Sequence, residues 1–114
     1  MFNARALLAQ GKADEAAEIL EQVVERDPMN GRALLLLSDY HMDEGDLDEA
    51  ILYAENASKV EQTRVDGLLR MARIHVARRN YGEAVRELRR AHDLRPATYI
   101  ADYLNRVEQA AARM

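Results

Sequence analysis

The sequence has no cysteine and no tryptophan, and its 114 residues include only two prolines, five glycines and one phenylalanine. Without cysteine, disulfide bonds and thiolate metal sites are excluded. No apolar run approaches the roughly 20 residues of a membrane span, and no basic segment followed by an apolar one marks a signal peptide at the N-terminus. We therefore expect a cytoplasmic protein without membrane insertion, unless the chain is a fragment of an exported one.

Alanine, leucine, glutamate and arginine dominate what is present. These residues have high helix propensity, and few glycines or prolines interrupt them. The composition is therefore typical of an all-helical protein, and the length is that of one domain with a core of modest size.

An internal repeat organises the chain. Ala16, Ala50 and Ala84 are spaced 34 residues apart, and each is preceded by a glutamate. Pro28 and Pro96 lie two such periods apart. Within each period the apolar residues step by three and four, which is the spacing of one helix face. A 34-residue period with this pattern predicts units of two helices joined by a short turn.

Residues suited to turns lie between the predicted helices. Gly45 can adopt a positive φ at a helix C-terminus. Asp46 can then cap the next helix, with Glu49 completing a capping box. Asn30 and Asn80 are predicted to cap two further helices.

These residues resemble the tetratricopeptide repeat (TPR), a 34-residue helix-turn-helix module. The small residues of the first helix are Ser38 and Ala72, and the early alanines of the second helix are Ala16, Ala50 and Ala84. Further matches are Ala57 and Ala91, and the prolines near the end of the unit, Pro28 and Pro96. The resemblance covers almost the whole chain. It implies an all-α fold, a right-handed α-solenoid of three repeats followed by a C-terminal capping helix.

The repeat register divides this single domain into four segments. They are repeat 1 at 1–30, repeat 2 at 31–64, repeat 3 at 65–98 and the capping helix at 99–114. The first helix of repeat 1 is short, which indicates either a chain cut from a longer array or a truncated helix. The family's usual tyrosine late in the first helix is replaced by His41 and His75, and Gln62 stands in place of proline.

Residues 97–114 carry an apolar stripe that includes Tyr99, Ile100, Tyr103 and Val107. In strict repeat register this stripe would face the concave groove. A slip of about one residue would instead pack it on the third unit, as expected for the capping helix that usually ends such an array. We favour packing; the alternative is an exposed stripe that binds a partner or a second copy.

No constellation of residues indicates catalysis. His41 and His75 occupy equivalent places in adjacent repeats, at a helix packing distance too large to share one metal ion, and we interpret them as packing residues. The acidic residues between Asp43 and Glu49 lack the ordered ligand spacing of a calcium loop. No glycine-rich phosphate loop occurs. The sequence therefore predicts no enzyme, no metal and no cofactor.

The charges are distributed unevenly. Residues 1–63 hold 5 basic and 14 acidic side chains, whereas residues 64–95 hold 9 arginines and 4 acidic side chains. These are either ordinary solvated helix faces, or a bipolar molecule that associates head to tail or presents arginines to an acidic partner. No aromatic residues are interleaved with the arginines for base stacking, and the net charge is −4. We therefore do not expect nucleic-acid binding.

In such a solenoid the first helices of successive units line a concave groove. The residues predicted to face it are Arg5, Arg32, Leu35, Leu36, Asp39, Met42, Asp66, Leu69, Arg70, Arg73 and Val76. An apolar floor with arginine and aspartate rims suits an extended peptide or an inserted helix. Alternatively, Leu35 and Leu36 pack under neighbouring helices.

The leading functional hypothesis is a protein-interaction scaffold that binds a peptide or helix of a partner protein in this groove. The alternatives are a self-association module, or a regulatory segment excised from a larger protein or enzyme. Some family members hold a chaperone's C-terminal carboxylate with basic residues along the groove. Here only Arg70 lies at a matching basic place, and Leu36 and Asp66 occupy two others, so this specific function is not predicted.

Overall fold

A computed structural model describes residues 11–113, which are helical and contain no strand. The helices are α1 (Ala13–Arg26), α2 (Gly31–Asp43), α3 (Leu47–Ser58), α4 (Arg64–Ala77), α5 (Tyr81–Leu94) and α6 (Thr98–Ala112), with a short 3-10 helix at Glu61–Thr63. The predicted all-α class is confirmed. The short leading helix predicted within residues 2–10 lies outside the described part of the chain. None of the described helices is long and apolar enough to cross a membrane.

The helices stack as successive hairpins. α2 packs on α3, α4 packs on α5, and each hairpin also contacts the next helix along the chain. The first helices α2 and α4 contact each other directly. This arrangement is the predicted helical solenoid, with a length of 42 Å and a width of 27 Å.

Small side chains let the two helices of a hairpin approach closely. Ala50 and Ala84 are fully buried at the start of the second helices. Ser38 on α2 is also fully buried, and its hydroxyl donates a 2.8 Å hydrogen bond to the backbone carbonyl of Ala50. A larger side chain at these positions would separate the helices.

The α3–α4 contact depends on a glycine that the repeat pattern does not single out. A Cβ atom on Gly67 would lie 2.5 Å from the backbone nitrogen of Ser58 and 2.8 Å from the carbonyl oxygen of Ala54. Ordinary contacts of this kind are 3.4–4 Å. The backbones of α3 and α4 therefore meet at Gly67 without a side chain between them.

The turn inside each unit uses one left-handed residue. Gly11 and Gly45 have φ values of 77° and 79°, as predicted for Gly45, and Arg79 occupies the equivalent place in the third unit with φ of 61°. A side chain at positive φ clashes with the backbone, so this conformation is less favourable for Arg79 than for glycine. The third unit thus has the same turn with a less suitable residue.

Two of the three predicted helix caps are present. Asn30 accepts a 3.0 Å hydrogen bond from the backbone nitrogen of Ala33, and Asp46 accepts one of 3.5 Å from Glu49. The predicted cap at Asn80 is wrong, because its side chain makes no hydrogen bond to the first turn of α5.

The last helix packs on the third unit, as we favoured. Val107 is buried in a cluster with Leu88, and Ile100 in a cluster with Leu68 and Ala91, whereas Tyr99 is 57% exposed. In the 34-residue register Ile100 corresponds to Asp66, which was predicted to face the groove. α6 is therefore rotated about its axis relative to α4, so that its apolar stripe meets the core.

Candidate functional site

One side of α2 and α4 carries most of the residues that the sequence predicted to line a groove, and we call it the inner face. Arg32 and Arg73 are exposed on it. The other predicted residues with partial exposure are Leu36, Asp39, Met42, Asp66, Leu69, Arg70 and Val76. Arg5 lies outside the described residues. The inner face therefore has two exposed arginines beside half-buried polar and apolar side chains.

The assignment of Leu35 to the groove is wrong. Leu35 is only 6% exposed and belongs to a core cluster with Leu34, Ala57 and Val60. The alternative interpretation, packing under neighbouring helices, describes Leu35 correctly. The physical reason is that α2 contacts α1, α3 and α4 and therefore leaves only a narrow side accessible.

Two predicted groove residues bind each other. The Nε and Nη2 atoms of Arg70 donate hydrogen bonds of 3.1 and 3.2 Å to the two carboxylate oxygens of Asp39. This fork geometry is the strongest form of an arginine–carboxylate contact. It connects the first helices of adjacent units across 31 residues of sequence. Arg70 is therefore already engaged by a carboxylate of its own chain.

The basic end of the inner face lies around Arg73. No carboxylate lies within 4.0 Å of the Arg73 side chain among residues 11–113. Arg73 and Arg106 both act electrostatically on Tyr103, and the guanidinium of Arg106 lies 5.5 Å from the centre of its ring. Burial raises the pKa of Tyr103, and these two cations oppose that rise. The result is a basic, partly aromatic surface.

The other end of the inner face is acidic and concave. A cavity of about 290 Å³ is lined by Ala13, Leu36, Asp39, Tyr40, Asp43 and Glu44. It is at the lower limit of small-molecule pockets and suits one or two protein side chains better. The sequence reasoning missed Tyr40, Asp43 and Glu44. Asp43 could have been found, because it lies four residues after Asp39 and seven after Leu36 on the same helix side.

Tyr40 is held at the edge of this cavity. Its hydroxyl donates a 2.7 Å hydrogen bond to Asp14 of α1. That bond, with smaller effects of burial and of the Glu44 charge, raises the pKa of Tyr40 to about 12. Tyr40 therefore remains a neutral hydrogen-bonding group across the physiological pH range.

The two equivalent histidines pack in different ways. The His41 ring stacks on Tyr53 with centroids 5.4 Å apart, whereas His75 Nδ1 lies 2.7 Å from an Oε1 oxygen of Glu87. Both histidines are mostly buried, and burial raises the pKa of Glu87 despite the opposing effect of His75. Within residues 11–113 no group of three or more His, Asp or Glu side chains is arranged to hold a metal ion.

Comparisons with known proteins agree with the repeat. Family models described as tetratricopeptide repeat match residues 3–62 and 41–103. The chain is also similar to three solved structures, each at no more than 21% identity. No curated protein matches significantly.

The first of these structures is that of MamA, with 21% identity and a TM-score of 0.83 over 96% of this chain; the match spans 64% of the MamA chain. The second is the first TPR of Spaghetti (RPAP3) bound to the HSP90 peptide SRMEEVD, with 20% identity and a TM-score of 0.85, covering 96% and 90% of the two chains. The third is the N-terminal domain of stress-induced protein-1 from C. elegans, with 17% identity and a TM-score of 0.81, covering 92% and 88%. At these identities the likeness establishes the fold.

Proposed function

Because the chain belongs to the tetratricopeptide repeat family, we propose that it is a protein-interaction scaffold whose inner face binds a peptide or helix of a partner protein. The observation that carries the proposal is the accessible Arg73 at one end of this face and the acidic cavity beside Leu36 at the other. Half-buried Leu36 and Leu69 supply apolar surface on the neighbouring helices α2 and α4.

From the charge arrangement we infer the chemistry and direction of the bound segment. A carboxylate of the partner protein would bind Arg73. Among residues 11–113 no carboxylate lies within 4.0 Å of this arginine. A lysine or arginine side chain would enter the cavity, placing its methylenes against Leu36 and its charge near Asp43 and Glu44. Apolar side chains between these two charges would lie on the leucines. Such a segment binds by complementary charge at both ends and by apolar contact between them.

One structurally similar TPR is described as bound to an HSP90 peptide, which supports a peptide as the class of ligand. The details of the inner face argue against a carboxylate clamp in this chain. Arg70, the single basic residue at a matching place, is engaged by Asp39. We therefore place the recognition at Arg73 and at the acidic cavity.

A charge reversal at each end of the face tests the proposal. Arg73→Glu and Asp43→Arg alter exposed side chains and should leave the fold unchanged. The matched control is Arg86→Glu, an exposed arginine on α5 whose ion pair with Glu83 is a surface contact of little energetic value. Proteins captured by the wild type and by Arg86→Glu, and identified by mass spectrometry, should be lost from Arg73→Glu and from Asp43→Arg. Unchanged capture by both inner-face variants would contradict the proposal.

A further inference from the structure

A second cleft lies on the opposite side of the stack, between the second helices α3 and α5, with α4 as its floor. Its volume is about 400 Å³, and we call it the outer cleft. Leu68 and Met71 form its apolar floor, and Lys59, Arg64 and Arg90 supply positive charge around it. One acidic side chain, Glu55, also lines it, so the cleft remains positively charged.

Two of the three cations are available for binding. Arg64 is half-buried, and its Nε atom donates a 3.1 Å hydrogen bond to the backbone carbonyl of Ser58 at the end of α3. Lys59 and Arg90 are exposed, and no carboxylate lies within 4.0 Å of either among residues 11–113. Arg64 therefore has a structural role, while Lys59 and Arg90 face solvent from opposite sides of the cleft.

The repeat provides an internal control for these charges. In the preceding unit, the residues equivalent to Lys59, Arg64 and Arg90 are Glu25, Asn30 and Asn56. The apolar floor is retained there by Leu34 and Leu37. The same helical packing is thus built without any of the three cations. The positive charges of Lys59 and Arg90 are therefore a property of this cleft and are not required by the repeat fold.

A surface of opposite charge lies on α1 of the same chain. Glu18, Glu21 and Glu25 are exposed and spaced by three and four residues, which places them on one side of the helix. They span about 10 Å along the axis. None of them has a cation within 4.0 Å among the described residues. We call these three side chains the acidic stripe.

We propose that the outer cleft binds the acidic stripe of a second copy of this chain. Charge complementarity argues for this occupant, since a row of three exposed glutamates matches a cleft with two exposed cations. Among residues 11–113 neither set has an opposite charge within 4.0 Å. The two surfaces belong to different helices, so one molecule presents both at once. Such a head-to-tail contact extends into a chain of molecules unless its rotation closes a ring. The inner face has no part in it, and the inference is independent of the proposed partner binding.

Sedimentation of the purified full chain tests this contact without any partner. Raising the salt concentration from about 0.01 M to about 1 M shortens the Debye length from about 30 Å to about 3 Å, so the wild type should associate at low salt and dissociate at high salt. The double variants Lys59→Glu/Arg90→Glu and Glu18→Lys/Glu21→Lys should each associate roughly tenfold or more weakly. Arg113→Glu, at an exposed position just after α6 and away from both surfaces, is the control and should behave as the wild type does. Circular dichroism checks that all variants remain folded.

Mixing the two double variants gives the decisive result. In Lys59→Glu/Arg90→Glu both the cleft and the stripe are acidic, and in Glu18→Lys/Glu21→Lys both are basic, so neither variant should associate alone. In the mixture, the cleft of each variant meets a stripe of opposite charge on the other, and the two should associate. A wild type that stays monomeric at every salt and protein concentration overturns the proposal. So does association that survives either double variant, or a mixture that remains monomeric.

Discussion

Replacing Gly67 by alanine should destabilise the protein even though alanine is the better helix former. In a helix interior this change ordinarily stabilises by about 1 kcal/mol. Here the added methyl would lie 2.5 Å from the Ser58 nitrogen and 2.8 Å from the Ala54 carbonyl oxygen, at least 0.6 Å closer than ordinary contact. Both atoms belong to the α3 backbone, which moves only with the helix. Since overpacking of this kind costs about 1–3 kcal/mol, we expect a net loss of up to about 2 kcal/mol.

Urea unfolding followed by circular dichroism measures this loss as a lower midpoint with an unchanged slope. Gly82→Ala is the matched control, because a Cβ there meets no atom within 4 Å. It lies in the first turn of α5 and should be neutral or slightly stabilising. If Gly67→Ala is as stable as Gly82→Ala, the close approach of α3 and α4 is wrong.

Three further predictions concern single residues. Arg79→Gly should stabilise the protein by about 1 kcal/mol, because it relieves a positive φ; an unchanged or lower unfolding midpoint in urea would contradict this. Burial raises the pKa of Glu87, so its contribution to stability is full below its unfolded pKa and is lost as the pH rises through its folded pKa. Glu87→Gln should therefore gain stability relative to the wild type as the pH rises above the unfolded pKa of about 4, and a difference independent of pH would refute this. The pKa of Tyr40 should be near 12, and Asp14→Asn should lower it because it removes the acceptor's charge; an NMR titration that resolves Tyr40 from the other four tyrosines measures both values, and an unchanged pKa would contradict the hydrogen bond to Asp14.

The fold could be predicted because the repeat carries its own register. The alanines at 34-residue spacing identify where helices touch, and Gly45 and Asp46 identify a turn between them. For α6 the sequence left two alternatives open, an apolar stripe that faces the groove or one that packs on the third unit. Its sequence does not continue the repeat, so burial of Ile100 and Val107 depends on contacts with the third unit. The role of Gly67 was missed because the distance between two helices is not encoded in one helix's periodicity.

The candidate site was less predictable because it depends on how neighbouring helices cover each other. Leu35 and Leu36 are adjacent in sequence, yet one is buried and the other lines a cavity. The Asp39–Arg70 pair joins residues 31 apart, which is not a repeat period, and appears only when α2 and α4 are placed side by side. Because Asp39 binds Arg70, the one arginine at a carboxylate-binding position of related repeats is already occupied within the chain.

Site-specific photo-crosslinking tests the proposed binding face most directly. A photoreactive amino acid placed at Arg32, which is exposed on the inner face, is compared with one placed at Leu52, which is 53% exposed on α3. The Arg73 side chain, on which binding depends, is left in place. Both probes are accessible, so a difference in crosslinking reports the position of the partner and not the exposure of the probe. We expect a partner protein to crosslink from position 32 and not from position 52. Crosslinks from position 52 alone would contradict binding at the inner face.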